Sequence, residues 1–174
     1  NDVYPELDVP GHAHCFAGKN KAVHSKKGAN DGINTFKFCD AKKFELFNDP
    51  NGKTLSGCKI LLRELQDLFP KSNLIHIGGD ETEDKGTCNK RNFGELTKSL
   101  QQEVLSIPGS SPVKPIVWNE VVNILKAGIS GTIVQAWSKE VNFTELVVGG
   151  HQIIFSQYEQ MYLDFTSTSC SMLD

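Results

Sequence analysis

Short apolar runs alternate with longer polar or amphipathic stretches along most of the chain. The runs occupy residues 3–8, 73–77, 115–118, 132–137 and 152–156. They are almost continuously apolar, which is typical of strands that are buried on both faces of a parallel sheet. Between them, apolar residues at helical spacing predict helices over residues 57–69, 92–105 and 143–148. This alternation predicts an α/β fold built from parallel βα units.

Polar and aromatic residues gather where the predicted strands end. They are Asp8 and His12, Asp80 and Glu81, Trp118 to Glu120, Trp137, and Tyr162 and Asp164. A (β/α)8 barrel places its active site at the carboxyl ends of its strands, and a doubly wound open sheet also uses that edge. The chain contains no G-x-G-x-x-G sequence that would support a dinucleotide-binding version of the open sheet.

The chain is short for a complete barrel. It has 174 residues, whereas a (β/α)8 barrel needs roughly 250. The pattern therefore predicts an incomplete TIM barrel with about five of the eight βα units, in which residues 1–174 form the central part of a single catalytic domain. The first residue is Asn1 rather than Met, so we expect a processed or partial chain.

Composition and charge narrow the possible partners. The formal net charge is −3 without a basic excess, so nucleic acid is not an expected partner. No apolar run reaches the length of about 18 residues that suggests a membrane span. The five cysteines form no C-x-x-C pair; disulfides would suit a secretory or lysosomal protein, and buried thiols are the alternative. The segment Asn142-Phe143-Thr144 is a glycosylation acceptor, a helix N-cap, or both.

Two adjacent carboxylates, Asp80 and Glu81, directly follow Gly78-Gly79 at the end of a predicted strand. The glycines let the backbone turn sharply at this point. Neighbouring carboxylates cannot both ionise easily, so their pKa values separate and one group can stay protonated as an acid near neutral pH. The alternative is that Asp80 and Glu81 cap the helix that follows.

The whole string around this pair resembles a known signature. The sequence His76-Ile77-Gly78-Gly79-Asp80-Glu81 resembles the H-x-G-G-D-E motif of family 20 glycoside hydrolases, the β-N-acetylhexosaminidases. Four more segments resemble motifs of that family in the same order: Glu6 to His12 (E-x-D-x-P-G-H), Val117 to Glu120 (V-W-x-E), Val134 to Trp137, and Tyr162 to Asp164 (Y-L-D). The resemblance spans about residues 3–164, and motifs in order are more specific than any single one.

The resemblance implies a retaining enzyme that hydrolyses terminal N-acetylglucosamine or N-acetylgalactosamine residues by substrate-assisted catalysis. Glu81 is then the general acid, and afterwards the base that activates water. The substrate's own acetamido oxygen is the nucleophile and forms an oxazolinium intermediate. Asp80 orients the acetamido group and stabilises the developing positive charge. Tyr162 holds the acetamido oxygen in line for attack.

The same resemblance implies a substrate-binding pocket around the carboxylate pair. Trp118 and Trp137 line the space for the acetamido methyl group, and Asp164 binds sugar hydroxyls. Asp8 and His76 are supporting residues near the pocket.

Two further roles follow from the family pattern. His12 is expected to hydrogen-bond Glu81 and to tune its pKa, which makes it a fourth candidate for the catalytic set. Glu120 is a candidate for the leaving-group side, an assignment that stays open.

The implied partners are N-acetylhexosamine-containing glycans or glycoconjugates, and no metal or cofactor is implied. Homodimerisation of a full-length parent and a lysosomal or secreted location fit the family. The arginine and aspartate of its first strands, and the tryptophan pair and glutamate of its last strands, have no counterpart within these residues. After Pro-Gly-His, where the family often has a tryptophan, this chain has Ala13-His14-Cys15-Phe16. The isolated chain is therefore expected to be inactive.

Two other interpretations remain open. The segment His12-Ala13-His14 resembles the H-x-H ligands of metal-dependent amidohydrolase-type barrels, and His76 with Asp80 could complete a zinc site. That interpretation leaves the glycine pair and the aromatic motifs unexplained, and a chelator distinguishes it. The other is a non-catalytic carbohydrate-binding remnant, since fold does not imply function.

Overall fold

The computed structural model describes residues 3–10, 53–80, 90–109 and 111–162 of the chain. Helices and strands alternate through most of these ranges. In chain order they are α1 (Lys53–Leu68), β1 (Leu74–His76), α2 (Lys90–Ser106), β2 (Lys114–Trp118), α3 (Asn119–Asn123), β3 (Ile133–Ala136), α4 (Phe143–Val148), β4 (Gln152–Phe155) and α5 (Tyr158–Met161).

The four strands form one parallel sheet in the order β1-β2-β3-β4. Each neighbour in the sheet is therefore the next strand along the chain, as the alternation of strands and helices predicts. The first predicted strand, residues 3–8, is reduced to a parallel bridge between Glu6 and His76. Leu7 N donates to the His76 carbonyl at 2.8 Å, and His76 N donates to the Pro5 carbonyl at 2.9 Å. Pro5 has no N–H of its own, which limits the ladder that this segment can form.

Helices α1 and α2 pack against each other, and α2 packs on β2. Fully buried Leu62, Leu96 and Leu100 join Ile75 and Val117 of the sheet in one hydrophobic core. Two residues of the apolar stripe predicted for α1, Ile60 and Leu68, are instead 57% and 73% exposed. The buried side of α1 is set by Cys58 and Leu62, with Leu55, Leu61 and Leu65 partly covered.

Cys58 is a free, buried thiol on α1. Burial raises the pKa of this thiol to about 12, which keeps it in the unreactive protonated form. For this cysteine the buried-thiol alternative is confirmed. The other four cysteines lie outside the described residues.

A buried carboxylate joins the two long helices. Glu103 of α2 lies 2.6 Å from Arg63 Nη2 and 3.2 Å from Lys59 Nζ, both on α1. Burial acts to raise the pKa of Glu103, but the hydrogen bonds and positive charges of Arg63 and Lys59 outweigh it and hold this pKa below its ordinary value. The pair of helices is thus linked by charge as well as by apolar packing.

Gln101 ties α2 to the loop that leads into β3. Its Nε2 donates to the Ala127 carbonyl at 2.8 Å and to the Thr97 carbonyl at 3.1 Å. Its Oε1 accepts from Thr132 Oγ1 at 2.8 Å and from Ile129 N at 3.2 Å. A fully buried amide with all of these bonds satisfied favours one arrangement of the loop, because every alternative leaves buried polar groups unpaired.

We expect Gln101→Leu to lower the free energy of unfolding by about 3 kcal/mol, since loss of the amide leaves several buried backbone and hydroxyl groups without partners. Chemical denaturation followed by circular dichroism measures the change. Gln102→Leu is the matched control, because Gln102 is the next residue on α2 and is exposed. Equal destabilisation by the two variants would contradict the structural role of Gln101.

The short helix α4 has the bounds that the sequence predicts. Asn142 caps it, because its side-chain oxygen accepts a hydrogen bond from Glu145 N at 3.2 Å. The N-cap interpretation of the Asn142-Phe143-Thr144 segment is therefore confirmed. Helices α3 and α5 were not predicted, because with five and four residues they are too short to show a helical period.

No helix in the described part of the chain is long and apolar enough to cross a membrane. Strand β4 lies at the edge of the described sheet, and Phe155 on it is 53% exposed. Val147 and Val148 of α4 are exposed beside it. Part of the exposed apolar surface of the described residues thus lies at the end of the sheet where β4 lies.

Candidate active site

The carboxyl end of β1 turns sharply at two glycines. Gly78 and Gly79 have φ values of +70° and +97°, a region that side chains rarely adopt. A Cβ on Gly78 would lie 2.7 Å from the backbone Cα of Asp8, and a Cβ on Gly79 would lie 2.3 Å from Val121 Cγ2. Both positions therefore require glycine, because neighbours from the first segment and from α3 occupy the space. This turn places Asp80 directly after the strand.

We expect Gly79→Ala to destabilise the protein by at least about 2 kcal/mol, because it adds a clash with Val121 to the strain of a left-handed backbone. Gly150→Ala is the control for the backbone term alone, since Gly150 has φ +71° and no atom within 4 Å of its added Cβ. Thermal unfolding measures both. In a Val121→Ala background the cost of Gly79→Ala should fall towards that of Gly150→Ala, and an unchanged cost would contradict the packing argument.

His76 is buried at the end of β1, beneath the glycine turn. Its Nδ1 lies 3.0 Å from Gly78 N and 2.9 Å from Glu6 Oε1. One nitrogen cannot accept from the first and donate to the second at once. The Gly78 N–H is fixed in the backbone, whereas the Glu6 side chain is 41% exposed and can rotate. We therefore assign Nδ1 as the acceptor for Gly78 and the ring proton to Nε2.

Aromatic rings form a continuous row across the carboxyl ends of the strands. The His76 ring lies 4.7 Å from Trp118, and Trp118 lies 6.3 Å from Trp137 in an edge-to-face arrangement. Trp137 stacks on Tyr162 with centroids 6.3 Å apart, and Tyr158 contacts the edge of Tyr162 at 5.3 Å. Trp118 N donates to the Gly78 carbonyl at 3.0 Å, which joins this row to the glycine turn. A row of this kind is an aromatic wall at the carboxyl ends of the strands, next in space to the turn that precedes Asp80.

Trp137 is held at its indole and at its backbone. Its Nε1 donates to both carboxylate oxygens of Glu120, at 2.9 and 3.0 Å. Its backbone N donates to Asn119 Oδ1 at 3.1 Å, and its carbonyl accepts from Tyr158 N at 2.8 Å. Asn119 and Glu120 are both buried on α3. The Glu120 carboxylate is therefore bonded to one member of the aromatic row.

The comparisons with known proteins decide the family. Residues 2–172 match the family described as glycosyl hydrolase family 20, catalytic domain. The chain belongs to glycosyl hydrolase family 20. The chain is 28% identical to the β-hexosaminidase subunit beta of Felis catus and 29% identical to that of Homo sapiens, each over 184 aligned positions and 95% of the chain. It covers 32% and 31% of those two proteins, so it spans about a third of their length.

The solved structures give the same fold. The family 20 β-N-acetylhexosaminidase from Streptomyces coelicolor A3(2) superimposes with a TM-score of 0.63 at 23% sequence identity, over 95% of this chain and 32% of that one. Together with the parallel order of β1 to β4, this likeness confirms the predicted α/β class and the incomplete (β/α)8 barrel. The row of aromatic rings therefore lies at the end of the barrel where such folds place their active sites.

Six of the nine residues predicted for the family 20 site lie in the described part of the chain. They are Asp8, His76, Asp80, Trp118, Trp137 and Tyr162. All six are at or after the carboxyl ends of the strand-forming segments, as predicted. Glu81, His12 and Asp164 lie outside the described residues, so their predicted roles stay predictions. The same holds for the His12-Ala13-His14 segment on which the metal-dependent alternative rests.

Three residues that contact the predicted site residues make bonds that sequence reasoning did not assign. Glu6 contacts His76, and Asn119 with Glu120 fixes Trp137. The motif V-W-x-E contains Glu120, but the spacing gave no sign that its carboxylate binds an indole from the following strand. Among the described side chains, Trp118 Nε1 and His76 Nε2 are buried nitrogens without a hydrogen-bond partner. A ligand with polar and apolar parts could bind at such a place, because the two ring nitrogens offer hydrogen bonds and the aromatic rings offer an apolar surface.

A separate cleft of about 810 Å³ lies at the amino-terminal ends of β1 and β2, away from the aromatic row. Val3, Tyr4 and Phe69 line it together with residues that precede β1 and β2. None of the predicted site residues contributes to it. In a barrel of this type that end serves stability rather than catalysis, so we do not assign the cleft to the active site.

Proposed function

We propose that the protein to which this chain belongs is a retaining β-N-acetylhexosaminidase. It hydrolyses terminal N-acetylhexosamine residues of glycans or glycoconjugates, with the substrate's acetamido oxygen as the nucleophile. The observation that carries the proposal is the continuous row of Trp118, Trp137 and Tyr162, which is joined to the turn before Asp80 by the bond from Trp118 N to the Gly78 carbonyl. A site that must seat a small methyl group next to an amide N–H requires this combination of apolar surface and carboxylate.

The proposed steps follow from charge and geometry. Asp80 accepts a hydrogen bond from the acetamido N–H and stabilises the positive charge of the forming oxazolinium ring. Tyr162, which stacks on Trp137, donates a hydrogen bond from its hydroxyl to the acetamido oxygen and holds that oxygen below the anomeric carbon. Glu81 protonates the leaving oxygen and later removes a proton from the attacking water. No enzyme carboxylate bonds to the sugar, and the configuration is retained by two successive displacements.

The activity is proposed for the whole protein. Because the chain spans about a third of its animal relatives, we infer that residues 1–174 form the central part of a single barrel domain. The exposed apolar surface around β4 supports this inference, since a further βα unit would cover it. Residues that clamp the sugar hydroxyls would come from those other units.

We expect Asp80→Asn in the whole protein to lower kcat for 4-nitrophenyl N-acetyl-β-glucosaminide by about 100- to 1000-fold, because the oxazolinium charge loses its counterion. A thiazoline mimic of the cyclised intermediate should inhibit the unaltered protein tightly and the variant weakly. Initial rates with and without the thiazoline measure both effects.

Asp67→Asn is the matched control, because Asp67 is exposed on α1, outside the proposed site. It should leave kcat unchanged. Full activity of Asp80→Asn, or cleavage of a substrate without the acetamido group at a comparable rate, would exclude substrate-assisted catalysis. Loss of activity on treatment with EDTA would instead support the metal-dependent interpretation.

We also propose that the protein enters the secretory pathway and resides in a lysosome or outside the cell. Support comes from the acceptor segment at Asn142, whose three residues are all exposed. Asn142 uses its side-chain oxygen to cap α4, and a glycan is attached through the side-chain nitrogen. The cap and the modification are therefore compatible.

We expect a glycan on Asn142 in protein isolated from its natural source. Enzymatic deglycosylation in heavy-oxygen water, followed by peptide mass spectrometry, would convert the modified residue to labelled aspartate. Unmodified Asn142 throughout the population would contradict the proposal. In recombinant secreted protein, Thr144→Ser should keep the glycan, and Asn142→Asp should lose it while preserving the helix cap and the melting temperature.

A further inference from the structure

We propose that Glu120 is a positioning residue that fixes the indole plane of Trp137 and thereby sets the depth of the pocket for the substrate's 2-acyl group. This inference rests on the proposed function, because it assigns Trp137 to the acyl pocket. It places Glu120 behind the pocket wall, not on the leaving-group side as one sequence interpretation suggested. Glu120 does not touch substrate in this assignment and acts through the tryptophan.

The first supporting observation is the hydrogen-bond geometry. The Trp137 Nε1–H lies within 2.9 Å of one Glu120 carboxylate oxygen and 3.0 Å of the other. Hydrogen bonds to a carboxylate are shorter and stronger than those between neutral groups. Glu120 is only 5% exposed, so little water competes for this contact. An indole N–H directed at both oxygens has its ring plane set by the carboxylate.

The second observation is that the other contacts of Trp137 leave its ring to be oriented. Asn119 Oδ1 and Tyr158 N fix the backbone of Trp137. Backbone bonds do not determine the side-chain torsions, and among the described residues the ring contacts of Trp137 are with Trp118 and Tyr162, which are themselves assigned to the pocket. A ring rotated away from Glu120 would change both contacts at once. The carboxylate is therefore the group behind the wall that selects one orientation.

The third observation is chemical. Burying a carboxylate is costly, and an apolar or neutral residue would serve mere packing better. A carboxylate offers acceptors only, whereas glutamine presents one acceptor and one donor group. Glutamine has the same shape as glutamate but cannot direct two acceptors at one indole N–H. The difference between the two side chains therefore isolates the positioning role.

The test compares Glu120→Gln with the unaltered protein on 4-nitrophenyl glucosaminides that carry N-acetyl or N-butanoyl groups. We expect kcat/KM for the acetyl substrate to fall about tenfold, with most of the change in KM, and the preference for acetyl over butanoyl to fall by a similar factor. Glu140→Gln, an exposed glutamate outside the site, should change neither quantity. A stability role alone would lower the yield or melting temperature and leave the acyl preference intact, and that result would overturn the proposal.

A second variant tests the same contact from the other side. Trp137→Phe keeps an aromatic ring but removes the N–H, so Glu120→Gln should add little to its effect on the acyl preference. Fully additive effects would show that Glu120 acts without Trp137 and would overturn the proposal. If Glu120→Gln folds poorly, Trp137→Phe alone tests the contact from the indole side: an acyl preference equal to that of the unaltered protein would overturn the proposal.

Near-ultraviolet circular dichroism tests the positioning role of Glu120 separately from the proposed function. The chain has two tryptophans, Trp118 and Trp137, in edge-to-face contact. Their coupled near-ultraviolet circular dichroism should weaken in Glu120→Gln towards the spectrum of Trp137→Phe, whether or not any hexosaminide is cleaved. An unchanged spectrum would refute the positioning role, whereas a changed spectrum in a protein that cleaves no hexosaminide would refute only the activity.

Discussion

The arrangement of the site depends on the absence of space around two glycines. Gly78 lies against the backbone of Asp8, and Gly79 lies against Val121. Any side chain at either position would separate the end of β1 from the first segment or from α3. The left-handed turn at these glycines directly precedes Asp80. Trp118 N donates to the Gly78 carbonyl, so the turn and the aromatic wall keep their relative positions only while both close approaches are maintained.

Helix α3 connects that turn to the wall. It has five residues, and it begins directly after Trp118. Val121 packs on the Gly79 position, Glu120 binds the Trp137 indole, and Asn119 binds the Trp137 backbone. One turn of helix therefore holds parts of β1, β2 and β3 in mutual register at their carboxyl ends. A rigid element close to the pocket gives more precise placement than a loop would, and this suits a reaction that depends on orientation.

The spacing of apolar residues was sufficient to predict the sheet, but not the side-chain contacts at the carboxyl ends of its strands. The apolar runs correspond to β1 to β4 in parallel order, because the largely buried strands β1 to β3 leave a pattern that is visible without partners. Strand β4 has the same apolar pattern, although Gln152 and Phe155 at its ends are exposed. Residues 3–8 were predicted as a full strand but form only a bridge to β1. Pro5 has no backbone N–H to donate, and the apolar pattern alone does not take account of that missing hydrogen bond. Helices as short as α3 have no period to detect. The bonds of Gln101 and Glu120 join positions far apart in sequence, and a buried polar side chain gives no local sign of its partner.

Motif order predicted the site for a different reason. Each strand end contributes one or two residues, so their relative placement follows from the barrel topology once the strands are in order. That logic identifies which side chains meet, and the described part of the chain shows His76, Trp118, Trp137 and Tyr162 in contact as a row. It does not identify what holds each of them. Glu120 belongs to the same motif as Trp118, yet its bond is to the tryptophan of the next strand. A motif can therefore contain both a pocket residue and the support of a neighbouring pocket residue, and only the side-chain geometry separates the two roles.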